Sequence, residues 1–247
     1  MKRALAGLLF GAAGACGAAQ LTPSGPTVPE NLLRIELRLD APARAPLDPR
    51  FVKLYDESGH VIDDAFLDLA LPDRDGRTIA LLLHPGRIKT GVGPNLALGP
   101  ALRQGQLVRL AITDPGLGQP VYKQWRVTAA VRQAIAPADW KLEVPPARGL
   151  RPLTVAMAAP LSASSEQLIA VGTADGARLP GRVQLFSGES HWRFTPASPW
   201  TPGRYFLRIH PSIEDPAGNR LCSAFEQAGQ SQRACDDEVT IAFSIQP

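Results

Sequence analysis

Leu33-Arg34-Ile35-Glu36-Leu37-Arg38-Leu39-Asp40 alternates apolar and polar side chains without a break. Successive side chains of an extended strand point to opposite faces, so this period of two predicts a strand burying Leu33, Ile35, Leu37 and Leu39. Arg34, Glu36, Arg38 and Asp40 then fall on the outer face. Similar short runs follow at Phe51–Tyr55, Ala65–Leu69, Thr78–Leu83, Leu107–Thr113 and Val121–Thr128. Turn chemistry separates them at Ser58-Gly59, Asp75-Gly76 and Asp114-Pro115-Gly116. Helical periodicity is nowhere sustained. Short strands punctuated by 24 prolines and 22 glycines predict an antiparallel sandwich.

The second half repeats this order, with runs at Leu153–Met157, Gln167–Thr173, Val183–Phe186, His191–Thr195, Arg204–Ile209 and Val239–Ile245. Gly59 matches Gly176, Gln104-Gly105 matches Pro202-Gly203, and Asp114-Pro115 matches Asp215-Pro216, which is an internal repeat. The matched glycines are 46 residues apart in the first unit and 27 in the second. The excess falls in His84–Pro100, too rich in Gly and Pro for a strand, and predicts a long loop at one end of the first unit.

These patterns set the expected boundaries. Residues 1–19 read as a signal peptide, with Lys2 and Arg3 ahead of an apolar run from Ala4 to Ala13 and small residues for cleavage. That run is too short for a membrane span, which needs about 20 apolar residues. Residues 20–32, with Pro23, Pro26 and Pro29, read as a Pro-rich tether. A first sandwich over 33–137, with its loop at 84–100, and a second over 138–247 follow, the second opening at Trp140, Leu142 and Val144.

Three cysteines are present. Cys222 and Cys235 are expected to pair in an oxidising compartment, closing a ring of about 14 residues worth roughly 3 kcal/mol. Cys16 follows Ala13-Gly14-Ala15, a pattern like a bacterial lipobox, so two alternatives stand: lipidation at Cys16, or plain cleavage after Ala19. The chain is expected to be exported, and then periplasmic, on the outer membrane or cell surface, or secreted.

Pro199-Trp200-Thr201-Pro202-Gly203-Arg204-Tyr205-Phe206-Leu207-Arg208-Ile209 leads into Ile213-Glu214-Asp215-Pro216-Ala217-Gly218-Asn219-Arg220-Leu221. Together with Trp192-Arg193-Phe194-Thr195-Pro196, these residues resemble the closing half of bacterial immunoglobulin-like domains of the surface-layer-protein type. In that family a hairpin of the form G-x-Y-x-L-x-I runs into D-x-x-G-N. The first unit lacks the Gly-Asn turn and carries the insertion. The resemblance implies an all-β fold of two tandem immunoglobulin-like antiparallel sandwiches after a signal segment, used in envelope and surface proteins, and it implies no chemistry.

The formal charge of +3 is well mixed and forms no basic stripe, which argues against nucleic acid. His60, His84, His191 and His210 are scattered singly, so neither a metal nor another cofactor is expected. Gly188-Glu189-Ser190-His191-Trp192 lacks the second glycine of a serine-hydrolase elbow. The best binding candidate is the 84–100 loop, where Arg87 and Lys89 offer cations to an anionic group. Trp200, beside a turn, is a candidate platform for a glycan. The preferred function is a non-enzymatic scaffold, spacer or protein-interaction module of the envelope. A carbohydrate- or cell-wall-binding accessory module and a hydrolase with an unrecognised site are the alternatives.

Overall fold

A computed structural model of the chain describes residues 19–89, 91, 93–225 and 237–247. The first unit holds eight strands: β1 (Gln20–Thr22), β2 (Thr27–Pro29), β3 (Arg34–Arg38), β4 (Val52–Tyr55), β5 (Phe66–Pro72), β6 (Thr78–Leu83), β7 (Leu107–Ile112) and β8 (Val121–Thr128). They form two sheets, ordered β1-β3-β6-β5 and β2-β8-β7-β4. The alternation in β3 works as expected for Ile35 and Leu37, which lie between the sheets beside Leu54, Leu81, Leu110 and Trp125.

The second unit holds β9 (Lys141–Glu143), β10 (Leu153–Ala156), β11 (Ile169–Thr173), β12 (Gly181–Phe186), β13 (His191–Pro196), β14 (Gly203–Ile209) and β15 (Val239–Ile245). Its sheets run β12-β13-β10-β9 and β11-β14-β15. Lettered A to G in chain order, these strands give one sheet of A, B, E and D facing another of C, F and G, the constant-type immunoglobulin arrangement. The first unit has the same order, with its A strand divided between β1 and β2. The chain is therefore all-β, two tandem immunoglobulin-like sandwiches with separate cores.

A tyrosine corner marks the second unit as well. Tyr205 stands near the start of β14, and its hydroxyl donates to the carbonyl of Thr201 at 3.0 Å, with the Thr201 hydroxyl 2.8 Å away. The matched turns of the repeat occupy equivalent places. Gly59 and Gly176 follow β4 and β11 at φ values of 83° and 86°, which only glycine adopts without strain.

Two expectations need correction. Residues 20–32 are not a tether: Leu21 and Val28 are buried at 6% and 1% exposure, β1 pairs antiparallel with β3, and β2 pairs parallel with β8. Among the described residues the first strand already begins at Gln20, ahead of Leu33. Three-residue strands are too short to show a period, and the prolines sit between or at the ends of the ladders. The 84–100 segment is not a bare loop either. It contains two short helices, α1 (Pro85–Ile88) and α2 (Gly93–Leu98), with the His84 ring accepting the Gly86 N–H at 3.0 Å to cap α1.

Trp200 anchors the second core, so Trp200→Ala is expected to cost about 3–5 kcal/mol in equilibrium urea unfolding. Tyr205→Phe, which removes only the corner hydrogen bonds, is expected to cost about 1 kcal/mol.

Candidate functional site

The two sandwiches meet through a buried polar network built on the short segment Asp215-Pro216-Ala217-Gly218-Asn219. Asp215 lies 5% exposed, and its carboxylate accepts the backbone N–H groups of Ala217 and Asn219, both at 2.9 Å, and the Asn219 amide at 2.8 Å. This turn holds Asn219, which is fully buried, so that its Nδ2 also donates to the carbonyl of Val131 at 3.0 Å. Asn31 of the first unit donates to the same carbonyl at 2.7 Å and accepts the Val131 N–H at 2.9 Å. The connecting chain is thus gripped from both sides.

Further contacts run in parallel. The carbonyl of Pro216 accepts the N–H groups of Leu33 and Arg34 at 2.8 and 3.2 Å. Arg34 pairs with Glu214 at 3.0 Å, and Glu214 pairs with Arg220 at 2.9 Å. Glu36 is 3% exposed and accepts the Ser164 N–H at 3.2 Å, so at this position the outward face of β3 is covered by the second unit, while Arg38 further along the same face stays exposed. Glu189, in the turn between β12 and β13, accepts the Ser24 N–H at 2.8 Å. Backbone groups that would be orphaned at a dry interface are satisfied across it.

Burial pushes the Asp215 carboxyl up to about 6 from an ordinary 3.8, the effect of desolvation exceeding the three donated hydrogen bonds, and neighbouring Glu214 adds to the rise. An unfolded chain releases this proton near pH 4 and the folded chain near 6, so the folded state holds more protons across that window. Stability from this group is full below pH 4 and falls as pH rises through 6, by about 3 kcal/mol in all.

The residues singled out from sequence do not converge. Arg87 is 4% exposed, and its guanidinium donates to the carbonyls of Gly99, at 2.8 Å, and Asp63. It staples the insertion to the sandwich and lies buried instead of facing an anion in solvent. Lys89 extends its Nζ over the Phe225 ring, 4.6 Å from the centroid, so the insertion of the first unit rests on the second. Trp200 is 2% exposed, 5.3 Å from Tyr205 and 5.8 Å from Phe194, and is a core residue, not a glycan platform. A Trp between two prolines gives no period from which to tell its face. Asp114 lies at the far end of the first unit, accepting the Asp48 N–H at 2.8 Å. There a cleft of about 590 Å³ opens between Ala19, Leu39, Arg44 and Asp114. Among the described residues, the pocket at the junction lined by Val28, Val131, Asp215 and Pro216 holds about 90 Å³, less than the roughly 300–1,000 Å³ of a small-molecule site. Cys222 is described and engaged, while Cys16 and Cys235 lie outside the described residues. Among the described residues no helix is long and apolar enough to cross a membrane.

Sequence reasoning missed Asn31, Glu36, Ser164 and Glu189. The one available signal was the Asp215–Asn219 turn, whose pattern was visible but whose role in joining two units was not.

No protein-family model matches the chain, and no curated protein matches it in sequence. Among solved structures it is similar to a chimeric titin Z1Z2 functionalized with a KLER exogenous peptide from decorin, at 11% identity and a TM-score of 0.29, over 94% of this chain and 98% of that one. It is similar to the titin domains Z1Z2 in complex with telethonin, at 11% identity and a TM-score of 0.24, over 86% and 87%. The ICAM-5 D1–D4 ectodomain fragment gives 12% identity and a TM-score of 0.26, over 92% of this chain and 53% of that one. Overlays this loose carry no argument about partners; the immunoglobulin-like assignment rests on strand order and the tyrosine corner.

Two outcomes follow from the junction. Between pH 4 and 7 the urea midpoint of the wild type is expected to fall as pH rises, and Asp215→Asn is expected to flatten that slope. A Cβ on Gly218, whose φ is +82°, would lie 2.6 Å from Leu33. Gly218→Ala is therefore expected to cost about 1–3 kcal/mol in the same assay, through strain and overpacking.

Proposed function

We propose that the chain is an exported, non-enzymatic envelope protein whose two sandwiches act as a stiff spacer, holding the second sandwich at a fixed distance and angle from the point of attachment. The observation that supports this reading is the gripped connection at Val131, together with the polar contacts beside it, which leave the two units no free hinge. Attachment is through a lipidated Cys16. Residues 16–19 reach at most roughly 10 Å when extended, so the far end of the first sandwich would stand directly against the anchoring surface. The C-terminal strand runs the other way: Ile245 pairs with Gly203 at the end of β14 remote from the junction. Cys222 and Cys235 form a disulfide that ties down the segment between β14 and β15. The motif resemblance to surface-layer-type domains favours the same setting. Burial of Trp200 removes the aromatic surface on which a glycan-binding alternative depended.

Intact mass of the protein from an expressing bacterium is expected to show a start at Cys16 with acyl mass, and two alkylatable thiols only after reduction. A start at Gln20 without lipid would remove the anchor, and thiols free before reduction would remove the disulfide. Small-angle scattering tests the spacer separately. The wild type is expected to fit one inter-domain distance, and Asn31→Ala with Asn219→Ala to broaden it. A wild type already broad would end the spacer reading.

A further inference from the structure

The two sandwiches differ at one sheet edge. In the first unit β8, the last strand, is covered on its outer side by β2, which pairs with it from Thr27↔Arg126 to Pro29↔Thr128. In the second unit the equivalent strand β15 ends its sheet. It pairs with β14 over all seven residues, Val239↔Ile209 to Ile245↔Gly203, and no other ladder reaches it among the described residues. Pro145 and Pro146 follow β9 in the second unit, where the first unit runs on into β2, and proline cannot donate to a ladder.

An unpaired edge normally carries protection: charge, proline, a bulge or short length. β9 is three residues long and bears Lys141 and Glu143, and β12 bears Arg182. The edge strand β15, Val-Thr-Ile-Ala-Phe-Ser-Ile, has none of these. Its exposed side chains, Thr240, Ala242 and Ser244, are small and uncharged. Glu238, just ahead of it, is engaged by Arg208 of the same chain at 2.6 Å.

This strand is also complementary to itself. Antiparallel pairing about a two-fold axis through Ala242 sets Thr240 opposite Ser244, Ile241 opposite Phe243 and Val239 opposite Ile245. Hydroxyl then faces hydroxyl, apolar faces apolar, and Glu238 meets Gln246, with no like charges apposed. A two-fold dimer requires such self-matching of one surface, and a strand with a charge on one half would not supply it.

We infer that β15 pairs with β15 of a second copy of this chain, joining two three-stranded sheets into one of six strands. Light scattering on a Cys16→Ser chain, in which no acyl group drives association, tests this. The expected mass is twice the 26.4 kDa of one chain, less any cleaved leader from each copy. Ala242→Lys and Ala242→Glu each place two like charges at the axis and are expected to be monomers, with far-UV circular dichroism spectra that match the wild type and so show the fold intact. Mixed in equal amounts, the two variants are expected to form a heterodimer. A monomeric wild type, a dimer that survives Ala242→Lys, or a mixture that stays monomeric would each overturn the inference.

Discussion

The carbonyl of Val131 is the point on which the arrangement of the two sandwiches depends. One acceptor with two lone pairs takes an amide from Asn31 on one side and from Asn219 on the other. A connecting segment is ordinarily where domains move, because few contacts cross it. Here both lone pairs of a backbone group in that segment are used, so a change in domain angle breaks at least one hydrogen bond inside a covered interface. The Pro216 carbonyl, shared by Leu33 and Arg34, repeats the device within the turn that carries Asn219.

This grip carries a cost. Burying Asp215 next to Glu214 works against ionisation, and the three donors on its carboxylate only partly offset that. Arg34 and Arg220 draw on Glu214 and keep the pair of acids from being left without counter-charge. Buried ion pairs seldom add much net stability over apolar packing, but they accept only one geometry. The junction exchanges stability near neutral pH for a defined angle between the units.

Strands with enough residues to show alternation, such as β3 and β6, were legible, and so were the turns of the repeat, because positive-φ glycines recur where strands must reverse. The three-residue strands β1 and β2 were not: prolines around them carry the same composition as a tether, and only long-range pairing with β3 and β8 reveals them. Glu36 was misread for a related reason. Alternation reports which face of a strand meets its own core and is silent about a second domain covering the other face. Arg87 looked like a ligand-binding cation, but nothing local distinguishes a guanidinium that binds an anion from one spent on backbone carbonyls.

The same long-range contacts set an order of events in time. Asn31 and Val131 are 100 residues apart, and the indole of Trp125 donates to a carbonyl 102 residues earlier, at Pro23. Closing loops of that size is slow compared with forming hairpins. A chain emerging from its N-terminus must therefore keep β2 waiting until β8 has appeared, while β1 can already pair with β3 and β3 through β7 with one another. The first sandwich seals late, and Thr27–Pro29 is the segment left open to chaperones and proteases until it does.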